Sequence, residues 1–307
     1  MDLSRATVAV TGATGFMGRY LVRALLARGA RVVAVVRNPD RVPALAAAGV
    51  ELRRADLADR AALTAGFVGV DAVLSNAGLI SIGQHDHATV IRSNVEGTAN
   101  SLNAAADAGV GRVIMTSSAV VYRPRFDHTY SEDHPLRDAS DLTHRFNVYA
   151  ISKALAEREA WRIADARGLA LSTFRPQAIY GAFDDHGATA WLQRLNRGPV
   201  GLWLAGMRYP SVYAGDLADA ACRMLERPVA EGRAYNLTAP PDLRTFWDLL
   251  RAWREAGGRT PRLVLPLPAP TVRRYTIHRA EADLGFVNRP LVDGMREVLA
   301  LEAAGAL

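Results

Sequence analysis

One cysteine and one lysine are all that 307 residues hold of either type. A lone Cys222 excludes an intrachain disulfide and any metal site built from several thiolates. It falls in Asp219-Ala220-Ala221-Cys222-Arg223-Met224-Leu225, a helical stretch where a small buried residue is expected. No window reaches the ~18 uninterrupted apolar residues of a membrane span, so no membrane partner is expected. Met1 to Arg5 runs directly into a strand without the pattern of a secretory leader, which predicts a reducing cytoplasmic setting. His85, His87, His128, His134, His144, His186 and His278 lack metal-ligand spacing, so no metal is expected. Internal repeats and low-complexity tracts are missing too. The net charge of +6 comes from basic residues scattered from Arg5 to Arg296 among 31 acids. Without a basic run there is no footprint for nucleic acid, only a weak general attraction for anions.

Scarcity gives Lys153 its weight. The other 36 basic side chains are arginine, so a single ammonium suggests a task that a guanidinium performs poorly. Tyr149 stands four residues earlier in Tyr149-Ala150-Ile151-Ser152-Lys153. On a helix, such a pair lies about 6 Å apart on one face. A compact ammonium there can sit beside a phenol and hydrogen-bond a sugar hydroxyl.

With 50% apolar and 22% charged residues, the chain suits one large soluble α/β domain with a lobe. Short β-rich apolar runs fall at Thr7 to Thr11, Val32 to Val36, Val50 to Arg53, Asp71 to Ser75 and Arg112 to Ser117. Helical stretches lie between them at Phe16 to Arg28, Pro43 to Ala48, Arg60 to Phe67 and Ala88 to Ala108. This rhythm predicts a Rossmann-type, doubly wound parallel sheet. A long helix over Val148 to Arg167 and further strands at Ala170 to Arg175 and Ala234 to Leu237 extend it. The rhythm fails over 178–210 and again after Ala239, where Pro240-Pro241 and the proline-rich 261–270 lie. The expected organisation is a nucleotide-binding domain over 1–177, completed by 211–238. A small C-terminal substrate-binding lobe would come from 178–210 and 239–307.

The first strand ends in Thr11-Gly12-Ala13-Thr14-Gly15-Phe16-Met17-Gly18. Glycines three apart, after a strand and opening a helix, form a dinucleotide-binding turn. Gly12 permits the tight turn, Gly15 lets the backbone approach a pyrophosphate, and Gly18 is expected to let the helix pack close to the sheet. At the end of the second strand, Arg37 stands where an acid would accept from a ribose 2′-hydroxyl. A guanidinium can instead clamp a 2′-phosphate, which predicts NADP(H) rather than NAD(H). Asp40 is expected to cap the next helix. Asp56-Leu57 is placed to contact the adenine ring, or else Asp56 caps the helix before Phe67.

Taken together, these motifs resemble the extended branch of the short-chain dehydrogenase/reductase superfamily over almost the whole chain. That branch includes NAD-dependent epimerases and dehydratases, dihydroflavonol-type reductases and 3β-hydroxysteroid dehydrogenases. Thr11 to Gly18 matches TGxxGxxG, and Asn94-Val95-Glu96-Gly97-Thr98 matches NxxGT. Ser117-Ser118-Ala119-Val120-Val121-Tyr122 looks like SSxxVY, Tyr149 to Lys153 like YxxxK, and Arg175 to Gly181 like RPxxxYG. Tyr213 to Ala218 is similar to the later V-x-D-L/V-A segment.

The resemblance implies that Ser118 hydrogen-bonds the reacting oxygen and that Tyr149 exchanges a proton with it. Lys153 would bind the nicotinamide ribose and lower the phenol's pKa. It also implies cofactor contacts at Thr14, Phe16, Met17, Pro176 and Ile179, and a site-ordering role for Asn94. Because side chains alternate along a strand, Ser117 and Ser118 face opposite ways and only one reaches the site. Two departures stand out. Asn76-Ala77-Gly78 looks like the single-domain branch, though it still offers backbone to the adenine ribose. Ala178 replaces the asparagine that helps sugar-nucleotide enzymes hold a diphosphate, which weakens an epimerase reading; Arg208 remains able to meet an anion.

Segments expected over the substrate carry Phe146, Phe183, Trp191, Leu192, Trp203, Leu204, Tyr209 and Tyr213. A pocket lined by such side chains suits a polycyclic or natural-product-like ketone. The leading expectation is NADPH-dependent reduction of that ketone to a secondary alcohol, a small-molecule reaction. A nucleotide-sugar epimerase or dehydratase comes second, and a non-catalytic NADP(H)-sensing protein third. The two long helices are the candidate surfaces for a homodimer.

Overall fold

The apolar runs of the first half become strands of a single sheet. A computed structural model describes residues 1–80, 85–125, 128–141, 148–185, 187–203, 209–239, 245–266 and 274–305. In chain order, the first elements are β1 (Thr7–Thr11), α1 (Phe16–Ala27), β2 (Arg31–Val36), α2 (Pro43–Ala47) and β3 (Glu51–Arg54). Next come α3 (Arg60–Phe67), β4 (Ala72–Ser75), α4 (His87–Asp107), β5 (Arg112–Thr116), β6 (Thr129–Tyr130) and α5 (Val148–Arg167). Then follow β7 (Ala170–Pro176), β8 (Ile179–Tyr180), α6 (Ala188–Leu195), β9 (Val200–Trp203), β10 (Val212–Tyr213) and α7 (Ala214–Glu226). The last are β11 (Ala234–Leu237), α8 (Phe246–Glu255), β12 (Leu263–Pro266), β13 (Arg274–Tyr275), α9 (His278–Leu284) and α10 (Leu291–Ala304).

The chain forms two compact units, and each has its own organisation. The first takes residues 1–124, 133–175 and 218–235. It holds the seven-stranded parallel sheet in the order β11-β7-β5-β4-β1-β2-β3. That order reverses at β1 and β4, the arrangement of a doubly wound sheet. β1 and β4 are buried at every position, as strands covered on both faces must be, and this is why Val8 to Val10 and Ala72 to Leu74 are apolar. Leu63, Phe67, Leu102, Val113 and Leu171 form the core on the side of α3, α4 and α5. Each fully buried side chain of this kind contributes about 2 kcal/mol. Helix ends are fixed locally: Asp59 accepts from the Ala62 amide to start α3, and Asp86 from the Thr89 amide to start α4. Cys222, on α7, is fully buried, and burial pushes its thiol up to about 12.

The second unit takes 125–132, 176–217 and 236–307. Three two-stranded parallel pairs run through it: β6 with β13, β8 with β10 and β9 with β12. Tyr130, Tyr180, Tyr213 and Tyr275 are fully buried there. Against the expected division at 1–177 and 211–238, residues 125–132, 176–177, 211–217 and 236–238 fall in this second unit.

Two capping assignments change. Asp40 does not cap a helix: Asn38 accepts from the Asp40 amide, and Asp40 pairs with Arg54 at 3.4 Å. The start of α2 carries no side-chain cap and opens instead on Pro43. Asp56 is not the cap of α3 either, since Asp59 takes that position and Asp56 accepts from the Ala58 amide two residues on.

Candidate active site

At the end of β1 the chain turns through Gly12 with a positive φ of 66°. A Cβ at Gly12 would stand 2.8 Å from the Ala77 Cα, so both the dihedral and the close approach demand glycine. A Cβ on Gly18 would lie 2.0 Å from the Gly12 carbonyl oxygen. Gly18 therefore lets α1 close up under the turn itself rather than against the sheet, as the sequence reading had it. Gly15 differs from both: it is exposed, and a Cβ there would meet only the Gly12 oxygen, at 3.4 Å. No side chain caps α1 at Gly15. An open glycine at an uncapped helix start leaves first-turn amides for an anion, and a pyrophosphate fits this cradle.

Asn76 and Ala77 brace the turn. Both backbone amides donate to the Thr11 hydroxyl at 3.1 Å. The Asn76 amide group donates to the Gly12 oxygen at 3.4 Å and accepts from the Thr116 hydroxyl at 3.0 Å. Thr11 and Thr116 carry no role in the sequence expectation, although a hydroxyl at the end of each of the two strands flanking β4 is the signal that finds them. Thr14 is exposed, Met17 is buried, and Phe16 packs edge-on against Tyr20 at 5.8 Å. Arg37 ends β2 as an exposed guanidinium, and Asp56 is also exposed. Leu57 turns towards α4, where a Cβ on Gly97 would sit 3.2 Å from it. Its carbonyl accepts from Asn100 at 2.8 Å.

β5 delivers the reactive hydroxyls. Beyond its last residue, alternation sends Ser117 and Ser118 opposite ways. The Ser117 hydroxyl donates to the buried Glu157 carboxylate at 2.5 Å. The Ser118 hydroxyl stands close enough to the Tyr149 phenol to favour its ionised form. On α5, Tyr149, Lys153 and Glu157 follow one another at four-residue steps along one face. The Lys153 ammonium donates to the Thr116 carbonyl at 2.7 Å, and a Cβ on Gly78 would come within 3.8 Å of it. The structure thus brings Ser118, Tyr149 and Lys153 together with Gly78, Asn76 and the turn at Gly12.

Asn94 orders this group from α4. Its amide donates to the Leu79 carbonyl at 3.0 Å and to the Ser152 hydroxyl at 2.9 Å, and it accepts from the Leu79 amide at 2.7 Å. Ser152 in turn donates to the Tyr149 carbonyl at 2.8 Å. The loop after β4 and the first turn of α5 are fastened through one buried side chain.

The protonation states follow from burial. Burial pushes the Tyr149 phenol up to about 12, opposed by the Ser118 hydrogen bond. The lowering expected from Lys153 is not seen: burial outweighs everything else acting on the phenol. Burial pushes Lys153 down to about 8, while the Glu157 carboxylate one turn on pulls it back up. At neutral pH this is a protonated phenol beside a protonated amine, a proton donor with a nearby charge.

In the second unit, Pro176 closes β7 as a buried residue and Ile179 is half-buried in β8. The Tyr209 ring stacks on Phe246 at 4.3 Å, and Trp191, 38% exposed, tilts against the same ring at 5.2 Å. Burial, with the Asp184 charge adding to it, pushes the Tyr209 phenol up to about 12. Leu192 and Tyr213 are fully buried, Tyr213 against Tyr180 with the Arg289 guanidinium over its ring. They are core, contrary to the expectation that they line a pocket. Phe146, Leu204, Arg208, His144, His186 and the Trp203 side chain lie outside the described residues.

Among the described residues no group of His, Cys, Asp and Glu is arranged to hold a metal ion, and no helix is long and apolar enough to cross a membrane. The model of the NAD dependent epimerase/dehydratase family matches residues 8–238. Over 98% of its length the chain is 33% identical to cinnamoyl-CoA reductase 1 of Oryza sativa subsp. japonica, of which it covers 91%. It is 34% identical, over 78% of its length, to a 4-hydroxy-2-methyl-3-oxo-4-farnesyl-3,4-dihydroquinoline-1-oxide ketoreductase of Stigmatella aurantiaca, covering 71% of that protein. Among solved structures, it superposes on a UDP-glucose-4-epimerase from Stenotrophomonas maltophila with bound NAD and formylated UDP-arabinopyranose. The TM-score is 0.81, with 98% of this chain and 99% of that one covered. At 22% identity that likeness speaks for the fold alone.

Proposed function

The chain belongs to the NAD-dependent epimerase/dehydratase family as an NAD(P)-dependent oxidoreductase, and we propose that it reduces a ketone on an apolar, ring-bearing small molecule with NADPH. The observation that carries this reading is the Ser118 hydroxyl beside the Tyr149 phenol, with Lys153 one helical turn away. The nicotinamide cofactor, when bound, supplies the hydride for the carbonyl carbon. The remaining work falls to the protein. The Ser118 hydroxyl hydrogen-bonds the carbonyl oxygen, and the Tyr149 phenol passes it a proton. A carbonyl with its added hydride and proton becomes a secondary alcohol, leaving a phenolate that the Lys153 ammonium stabilises.

The cofactor would be held by the turn from Gly12 to Gly18, by the backbone of Asn76 to Gly78 and by Lys153, with Tyr149 alongside. Thr14, Phe16, Met17, Asp56, Leu57, Pro176 and Ile179 complete the proposed contact set. Asn94 acts at one remove, through the Leu79 and Ser152 contacts that hold Tyr149's turn. The exposed Arg37 supports NADPH, since a guanidinium suits a 2′-phosphate and repays no hydroxyl.

The substrate class rests on two supports. Both curated relatives reported above are named reductases, one of cinnamoyl-CoA and one of a farnesyl dihydroquinoline ketone. Within the second unit the exposed Trp191 and the half-buried Tyr209 both pack on the buried Phe246 ring, and ring systems stack on exposed aromatic side chains. A nucleotide-sugar epimerase would draw on the same fold but lacks a donor at Ala178.

The test is NADPH oxidation by the purified protein against a panel of aryl and polycyclic ketones, with any co-purified nucleotide identified. Turnover that yields a secondary alcohol is expected. Tightly held nucleotide with no net NADPH consumption, and activity on a UDP-sugar, would move the assignment to epimerase.

A further inference from the structure

Glu157 has no exposed surface, and its partner Arg175 is 5% exposed. Its two carboxylate oxygens accept from Arg175 at 2.6 and 3.0 Å, Ser117 at 2.5 Å, Thr173 at 3.0 Å and the Trp161 indole at 3.3 Å. Removing two charges from water costs several kcal/mol, and a packed apolar pair is often at least as stable. Stability alone is thus a weak reason for this pair, whereas its position suggests another one. Ser118 lies between two residues that the pair fastens. Ser117 is bound by Glu157, and the Tyr122 hydroxyl, fully buried, accepts from Arg175 at 2.8 Å. The segment from 117 to 122, which carries Ser118, is pinned at both ends to one ion pair. The same carboxylate sits one helical turn beyond Lys153.

We infer that Glu157 is a positioning residue for the reaction: it fixes Ser118 opposite Tyr149 through Ser117, and serves as the countercharge of the buried Lys153 ammonium. The inference rests on the reading that Ser118, Tyr149 and Lys153 perform the chemistry. The charged and titratable groups facing the pair are Lys153 and Tyr149 on α5, Arg175 on β7 and Tyr122 after β5. From α4 and the loop after β4, the neutral Asn94 and Gly78 approach Ser152 and Lys153. Burial opposes the charge of Glu157, but the neighbouring Arg175 and the hydrogen bonds keep its carboxyl below the usual range.

The lone lysine makes a direct test practical. Protein grown with 13C-lysine has a single lysine side chain to follow, and its Cε shift against pH reports whether that amine is charged. In Glu157→Gln, the Lys153 midpoint is expected to fall by about one unit, the size of a nearby-charge effect. In Ser117→Ala, the midpoint should stay put, while kcat for ketone reduction falls about ten-fold with little change in KM, as misplacement of a reacting group predicts. An unmoved midpoint in a folded Glu157→Gln protein would overturn the countercharge role, and an unchanged kcat in Ser117→Ala would overturn the positioning role. Should Glu157→Gln fail to fold, Glu157→Asp serves in its place: a midpoint held near the parent's with kcat reduced supports the inference, and a kcat equal to the parent's overturns it. If the parent protein reduces no ketone, a Lys153 midpoint that still moves in Glu157→Gln upholds the electrostatic role, and only the proposed function falls.

Discussion

The Gly12 carbonyl oxygen lies where a Cβ on Gly18 would be, 2.0 Å away. No side chain fits between the helix and the turn, so the helix start that faces an anion exists only while residue 18 is glycine. Gly18→Ala is expected to force the turn open. The cost is about 1–3 kcal/mol of stability, as for other overpacked sites, with a matching loss of nucleotide affinity. Thermal unfolding together with a fluorescence titration of NADPH measures both. Retained affinity at parental stability would mean that the turn is not held by this contact.

Lys153 sets a pH window. With its amine pushed down to about 8 by burial, the charge beside Tyr149 is complete at pH 7 and lost as pH rises past 8. Ketone reduction should therefore be level up to about pH 8 and fall up to ten-fold per unit above it, as for one essential proton. Stability shifts the other way through this group. The unfolded chain keeps the proton until about pH 10.5, so between 8 and 10.5 the folded state binds fewer protons and gains stability as pH rises. A rate profile and a denaturation series over pH 6 to 10 check both signs.

Arg37 decides which dinucleotide is favoured. Arg37→Asp replaces an exposed cation with an acceptor for a ribose hydroxyl. Removing a charged hydrogen bond of about 1.5–3 kcal/mol should lower NADPH affinity ten- to hundred-fold and improve NADH. An unmoved ratio of kcat/KM for the two cofactors would remove Arg37 from the site.

Ala178 holds a φ of 50°, in the left-handed region. An L-residue there carries about 1–2 kcal/mol of strain, while glycine loses part of that gain to unfolded-state entropy. Ala178→Gly should raise stability by up to about 1 kcal/mol, read as a small upward shift in the denaturation midpoint. A drop would show that the Ala178 methyl packs favourably enough to offset the strain.

Much of this was legible from residue patterns, for physical reasons. Strands covered on both faces are largely apolar, so β1 and β4 stood out. The glycine spacing and the Tyr149–Lys153 step are local geometry. Three features were not local. Residues 125–132 join the second unit through a two-residue pairing of β6 with β13, across more than a hundred positions, and no periodicity marks so short a strand. Leu192 and Tyr213 were expected to line a pocket and are core, because an aromatic-rich segment reads the same either way. Glu157 was missed: an acid on a helix is ordinarily solvated, and its partner Arg175 comes from another strand. The hint was its place among Ala154, Ala156 and Ala160, all fully buried.

Proton transfer from the Tyr149 phenol is the centre of the account, and Tyr149→Phe isolates it. The variant keeps the aromatic ring and removes only the phenol hydroxyl. The decisive measurement is single-turnover reduction of a ketone substrate by NADPH-loaded parent and variant at pH 7. A loss of about 10²–10⁴-fold in rate, with NADPH affinity unchanged, is predicted for removal of a general acid. Equal rates in the two proteins would contradict it.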